Sequence, residues 1–347
     1  MPTKKNPDWP AVAAALAARL PPGLLHPAAM RRARAERTRE TRRGGKPSRW
    51  ALAFSGGADS LAMVLVLWAE GPGRWGRDFV VLHFNHRLRG KAADADERFC
   101  ARVCRSLGVK FVTGRWATAR RGASEAEARS ARMEFFRREM RRRKCRLLWL
   151  AHQQDDIAES MLMRLARGSG TGGLAAPRPV QETGDGRLHL RPMLALKKAF
   201  IVDALRQAGA VWREDATNSG RRHFRSRVRS SVLPAWAKAA GRDAVAGAAW
   251  SRELLEEDTT ALEAWLDELK PLDRAGRLVL AKLAGRPAAL WRRALHRWML
   301  GQNVQTDLSR QGFAALLAAA RAGRPTRFSL GGGFAVLADG KLLYQRG

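Results

Sequence analysis

Nothing in these 347 residues reaches the ~18 consecutive apolar residues that a membrane span needs. A signal-peptide pattern is missing too. Lys4 and Lys5 precede the apolar stretch Ala11–Leu20, but Arg19 interrupts it and no small-residue cleavage site follows. Cysteine is scarce: only Cys100, Cys104 and Cys145 occur, with no CxxC pair. That excludes a disulfide-built scaffold and suits a reduced, cytoplasmic compartment. No internal repeat is visible. Acidic residues are in deficit, 32 Asp+Glu against 64 Lys+Arg, for a net charge of +32. An Arg-rich coding habit accounts for part of this surplus; the rest predicts a polyanionic partner, nucleic acid first. Apolar content is ordinary at 46%, and the length suffices for two domains with a good core.

The most informative stretch is Arg49–Glu70, RWALAFSGGADSLAMVLVLWAE. Trp50–Phe54 reads as a buried strand, Ser55–Ser60 as a Gly-rich turn, and Leu61–Ala69 as an apolar helix. Such a unit leaves backbone N–H groups open at a helix start, where the helix dipole also favours an anion. Gly56 and Gly57 let a phosphate approach the backbone, while Ser55 and Ser60 add hydroxyls. The turn has no Lys, so it is not a Walker A loop. Phosphate charge must then be met by a metal, with Asp59 as its candidate ligand, and by arginines from elsewhere.

Further strands are expected at Phe79–Phe84, Val109–Thr113 and Leu147–Ala151, alternating with helices at Asp94–Leu107 and Ala123–Arg143. That alternation predicts a parallel α/β sheet. His83 and His86 lack a third metal ligand nearby and read as strand-end polar groups lining a nucleotide crevice. Arg129 and Arg132, three apart, share a helix face. After the fourth strand, His152-Gln153-Gln154-Asp155-Asp156-Ile157-Ala158-Glu159 gathers Asp155, Asp156 and Glu159 on one side of a helix. Such a cluster calls for a cation, Mg²⁺ or a substrate ammonium. Arg31–Arg49 reads as a solvated basic tail with scope for a non-specific RNA contact, and Gly44-Gly45-Lys46 within it is no P-loop because Pro47 follows. Arg167–Leu174 reads as a flexible basic loop, and Arg221–Arg229 as a strongly basic segment. Beyond Leu233-Pro234 the pattern is helical, ending in short strands over Phe328–Tyr344.

The hexapeptide SGGADS resembles the SGGxDS signature of the PP-loop ATP pyrophosphatases. With HFNHRLRG and DADERFC, ARSARMEFF, AHQQDDIAES, RGSGTGGL, RPML, and EDATN followed by RSRVR and LP, the chain resembles one branch of these enzymes, the tRNA(Ile)-lysidine synthase family. The matches run in the family's order across roughly residues 49–236. The resemblance implies a doubly wound, parallel-stranded PP-loop sheet over 49–232, a basic N-terminal extension over 1–48, and a helical, tRNA-contacting domain ending in short strands over 233–347. It implies that ATP, with Mg²⁺, adenylates the C2 oxygen of the wobble cytidine in the CAU anticodon of tRNA(Ile). The ε-amine of free L-lysine then displaces AMP. In that scheme Ser55, Gly56, Gly57, Ala58, Asp59 and Ser60 hold ATP, Asp59 and Asp156 hold the metal, and Arg129 and Arg132 meet the leaving pyrophosphate. Asp155, Asp156 and above all Glu159 are expected to serve the lysine, whose amine, with a pKa of about 10.4, is neutral in only roughly one molecule in 2,500 at pH 7. No assembly is fixed, and a homodimer stays open. Met133 stands where the family usually has Tyr, and Ser226 where it usually has Asn. The competing readings are a PP-loop tRNA thiolase, whose chemistry wants a CxxC pair or a paired cysteine, and an RNA-binding protein with a decayed ATP site.

Overall fold

The computed structural model describes residues 7–42, 50–71, 79–120, 122–214, 224–302 and 308–347. In chain order the elements are α1 (Trp9–Arg19), α2 (Pro27–Arg42), β1 (Trp50–Ala53), α3 (Ala58–Glu70), β2 (Phe79–Asn85), α4 (Lys91–Ser106), β3 (Lys110–Arg115), α5 (Glu125–Arg142), β4 (Leu147–Trp149), α6 (Gln154–Leu165), α7 (Thr171–Leu174), β5 (Val180–Glu182) and β6 (Leu188–Leu190). They continue with α8 (Lys198–Gln207), α9 (Phe224–Arg227), a π-helical stretch Val228–Val232, α10 (Leu233–Ala240), α11 (Ala244–Leu269), β7 (Leu278–Val279), α12 (Ala288–Gly301), α13 (Arg310–Ala322), β8 (Thr326–Ser329), β9 (Gly333–Ala338) and β10 (Lys341–Arg346). The chain forms two compact units, Met1–Glu253 and Leu254–Gly347.

The first unit is built on a six-stranded sheet in the order β3-β2-β1-β4-β6-β5. All its pairings are parallel except that of the edge strand β5, which is antiparallel to β6. Alternation along the central strands supplies two cores. Trp50, Leu52, Phe79, Val81 and Trp149 bury one face with side chains of α1, α3, α4 and α8. Ala51, Val80, Leu82 and Leu148 bury the other with Phe135, Phe136 and Met140 of α5. Burial on both sides explains why these strands read as continuous apolar runs.

Several expectations change here. Residues 9–42 are no extension: Trp9, Val12, Leu16, Leu25, Met30 and Ala33 belong to the first core. The described part of the expected basic tail is the helix α2, and Gly44-Gly45-Lys46 lies outside the described residues. Leu233-Pro234 opens α10 instead of a boundary; the compact units divide between Glu253 and Leu254. The expected loop at 167–174 ends in the short helix α7, tied by Arg164 donating to the Gly173 carbonyl at 2.7 Å. Strands β5 and β6, three residues each, are too short for a period to register.

The second unit has its own antiparallel sheet, β7-β10-β9-β8, packed with Leu290, Leu295, Trp298 and Leu316. Arg293 and Arg297 pair with Glu263, and Arg297 also with Asp267, so acidic residues of α11 meet basic ones of α12.

Candidate active site

Strand order reverses direction between β1 and β4, and open α/β sheets carry their ligands at the carboxyl ends of strands flanking such a switch point. Two segments emerge there: Ser55–Ser60 after β1, and His152–Asp156 after β4.

The first is held open by its own backbone. Gly56 has φ +94°, and a Cβ there would sit 3.2 Å from the Cys100 sulfur, so only glycine fits. Arg213 donates from its backbone N–H to the Gly56 carbonyl at 3.0 Å and from Nε to buried Asp96 at 2.7 Å, clamping the turn. Ser60 Oγ donates to the Gly57 carbonyl at 3.0 Å and lies 3.0 Å from Ser55 Oγ. The Ser60 hydroxyl therefore shapes the turn from inside, whereas Ser55 is exposed. The start of α3 has no side-chain cap. The N–H groups of Ala58, Asp59 and Ser60 thus form an uncapped helix start of the kind that receives phosphate. His83 does not line the crevice as expected. It is buried, its Nδ1 lies 2.8 Å from the Phe54 carbonyl, and burial lowers its pKa, so it buttresses the turn from behind as a neutral ring.

Asp59 is the unsatisfied carboxylate of these two helix starts among the described residues. Its Oδ1 is buried without a hydrogen-bond partner. Burial raises its carboxyl to about 6; Lys198 opposes the rise, Asp156 adds to it, and Arg229 and Asp155 contribute less. Those neighbours also show that the two acidic helix starts meet. An orphaned buried carboxylate oxygen fits a cation. Among the described residues no group of three or more His, Cys, Asp or Glu could by itself hold a metal.

The second segment is closed. Gln153 caps α6, accepting from the Asp155 N–H at 2.6 Å, and Asp156 accepts from the Gln153 N–H at 3.0 Å. Asp156 also pairs with Arg225 at 2.5 Å. Glu159, 1% exposed, is gripped by two guanidiniums: Arg225 Nε at 2.9 Å, and Arg229 Nε and Nη2 at 2.5 and 3.0 Å. Asp155 points elsewhere, one oxygen accepting from the Lys198 N–H at 3.0 Å. The carboxylates are thus near one another, yet Glu159 and Asp156 are already matched by charge.

Behind them stands an arginine cluster. Arg129 and Arg132 make no hydrogen bond or ion pair with a described residue. Burial, then Arg129 and Arg225, lower Arg132 to about 10. Burial also lowers Arg225 and Arg229, but Asp156 and Glu159 outweigh it and both end raised. Arg191, buried, donates to His152 Nδ1 at 3.2 Å, to the Arg178 carbonyl at 2.8 Å and to Gln181 at 2.9 Å. Burial, with Arg191, Arg225, Arg129 and Arg132 adding repulsion, holds His152 well below the usual imidazole range. The ring is neutral, and the bond at Nδ1 leaves Nε2 as a donor. The cluster is therefore rich in donors and short of anions.

Arg225, Arg229, Arg191 and Arg213 are the residues whose roles sequence reasoning missed. Arg225 and Arg229 carried a signal, since residues four apart share a helix face. Arg191 and Arg213 carried none beyond motif position. Asp215–Asn218 and Arg221 lie outside the described residues. Met133 packs partly into the second core and, with Met140 and His189, lines a groove of about 230 Å³ against the β5–β6 hairpin. All three cysteines are buried, and burial raises the Cys100 thiol well above its usual value and Cys104 to about 12. Cys100 and Cys104 are therefore protonated and inert as nucleophiles.

A family model described as "PP-loop domain" matches residues 30–236, more than half of the chain. The tRNA(Ile)-lysidine synthase of Solibacter usitatus is 39% identical over 187 residues, covering 54% of this chain and 40% of that protein. The tRNA(Ile)-lysidine synthase of Geobacter sulfurreducens is 36% identical over 228 residues, covering 63% and 46%. The chain thus spans less than half the length of these relatives. Among solved structures, the U34-tRNA thiolase NcsA from Methanococcus maripaludis with its 4Fe–4S cluster superimposes with a TM-score of 0.50 at 15% identity, covering 66% of this chain and 79% of that one. That likeness concerns the fold alone.

Proposed function

Because the chain belongs to the PP-loop domain family, we propose that it uses ATP to modify tRNA, and specifically that it ligates L-lysine to C2 of the wobble cytidine in tRNA(Ile) bearing a CAU anticodon. The observation that carries this reading is the orphaned Asp59 oxygen beside an uncapped helix start, within electrostatic reach of Arg229 and hence of the arginine cluster. The names of the relatives agree with it.

In this reading the triphosphate lies on Ser55–Ser60, its oxygens on the N–H groups of Ala58, Asp59 and Ser60. Asp59 would hold Mg²⁺, which supplies charge neutralisation of the phosphates; Asp156 would join it only by releasing Arg225 or the Gln153 N–H. The cytidine C2 oxygen attacks the α-phosphorus and pyrophosphate leaves. Arg129 and Arg132, mutually repelled and without an ion pair among the described residues, meet that charge and are relieved by it. The lysine amine then adds to C2 and AMP departs. The amine must first shed a proton. Asp155, with one oxygen outside any hydrogen bond to a described residue, is assigned as its acceptor, with Asp156 beside it. Glu159 acts through Arg225 and Arg229, which it positions.

The test is ATP–pyrophosphate exchange in the presence of cytidine-bearing tRNA, with and without lysine. Exchange that requires tRNA but not lysine, together with AMP release that requires both, is the expected result. Exchange that ignores tRNA would sink the reading.

A further inference from the structure

The charge run of α2 is not absorbed by this site. Its buried face carries Ala29, Met30 and Ala33 into the core, and then Glu36, 3% exposed. Glu36 is ion-paired on both sides, with Arg32 at 3.0 Å and with Arg146 at 3.0 Å. Arg146 immediately precedes β4, so this clamp fixes the last turns of α2 beside the segment joining α5 to the sheet. The clamp ties α2, three residues before Arg39, to the chain two residues after Lys144. Both helices end in a basic turn: Arg39 and Arg42 on α2, Arg141 and Arg142 on α5, with Lys144 following. All five side chains are exposed, and none has a hydrogen bond or ion pair with a described residue. Helix dipoles favour a cation at each C-terminal end, but they supply no counter-ion for five exposed charges that have no partner among the described residues and flank one clamp.

This surface lies at the amino edge of the parallel strands, whereas the phosphate turn leaves β1 at the carboxyl edge. Four strand residues at about 3.3 Å each put more than ~10 Å of sheet between the two. The patch therefore cannot serve the reacting phosphates. A rigid, exposed array of guanidiniums with one added ammonium matches the backbone of a nucleic acid, which supplies regularly spaced single charges and asks for no apolar contact.

We propose that Arg39, Arg42, Arg141, Arg142 and Lys144 form a second, sequence-independent RNA-docking surface, held in place by the Glu36 clamp and separate from the reaction site. The inference rests on the tRNA reading above. Its test replaces the five residues together by Ala in the full chain and measures binding to tRNA(Ile) and to a non-cognate tRNA across a salt series. Each lost phosphate contact removes about 0.7–0.9 from the log–log salt slope. The variant should therefore lose roughly 3 or more from that slope, and bind both RNAs at least tenfold more weakly by the same factor. Its thermal midpoint, and its exchange rate at saturating tRNA, should match the unmodified protein. An unchanged slope in the variant, with RNA-dependent exchange intact in the unmodified protein, would overturn the docking surface alone. An unchanged slope with lost binding to phosphatidylglycerol vesicles would overturn it in favour of a membrane surface. If the unmodified protein bound no RNA, the functional reading would fall with it.

Discussion

Two acidic helix starts meet at the switch point of one sheet, and they differ in what holds their charge. At the start of α3, Asp59 has a buried oxygen with no partner and the helix has no side-chain cap. At the start of α6, Gln153 caps the helix, Asp156 is shared between a backbone N–H and Arg225, and Glu159 is enclosed by two arginines. Both starts read alike in sequence, as acids in a first helical turn. In the proposed reading the chemistry sits beside the unmatched Asp59 carboxylate, and the charge-matched carboxylates of α6 hold Arg225 and Arg229 in place.

The sharpest way to break this contrast is Asp59→Asn. Removing the charge while keeping the shape should slow tRNA-dependent exchange by roughly 100-fold or more. Folding should move the other way. The folded carboxyl is raised to about 6 above an ordinary value near 3.8, so native Asp59 costs nothing below about pH 4. Its penalty grows as pH rises from 4 to 6 and is constant above that. In metal-free buffer at pH 8 the Asn variant should therefore be more stable, by on the order of 2 kcal/mol. Denaturant melts at pH 4 and pH 8 check the sign; a destabilised variant at pH 8 would mean Asp59 is structurally paired.

Glu159→Gln sharpens the other side. It takes from half-buried Arg229 its close counter-charge and from half-buried Arg225 one of two, since Asp156 keeps its pairing, so it should destabilise by roughly 1–3 kcal/mol and lower exchange and lysine transfer together. A variant of normal stability that loses only lysine transfer would return Glu159 to the lysine pocket. Arg132→Ala comes next. Because Arg132 is half-buried, has no ion pair among the described residues and is repelled by Arg129 and Arg225, its removal should cost little stability but slow adenylation roughly tenfold or more. Equal loss of stability and rate would remove it from the phosphate cluster. The smallest effect is expected from replacing Cys100, Cys104 and Cys145 by Ala. Turnover per folded molecule should change less than about twofold, since all three thiols are buried and Cys100 and Cys104 are held protonated. Loss of turnover in a folded variant would favour thiolase chemistry.

The strand–turn–helix unit around Ser55–Ser60 was legible because strand, glycines and apolar helix follow one another in sequence, and the shared face of Arg129 and Arg132 was legible from their spacing of three within one helix. The pairing of Glu159 was not legible, because Arg225 and Arg229 lie some 70 residues away and only packing brings them over α6. The same holds for α2. Nothing local reveals that Glu36 sinks between Arg32 and Arg146, and without that clamp the charge run reads as a tail. Strands β5 and β6 escaped because three residues carry no period, although Arg191 at their edge fixes the His152 tautomer.

The central claim is that the open side of the switch point adenylates a cytidine so that an amine, not sulfur, enters at C2. Nucleoside mass analysis of tRNA(Ile) bearing a CAU anticodon, after incubation with the protein, ATP, Mg²⁺ and L-lysine, tests it most directly. The account predicts one cytidine per tRNA gaining lysine with loss of water, dependent on both ATP and lysine. An unchanged cytidine, or oxygen replaced by sulfur when a sulfur donor is added, would contradict it.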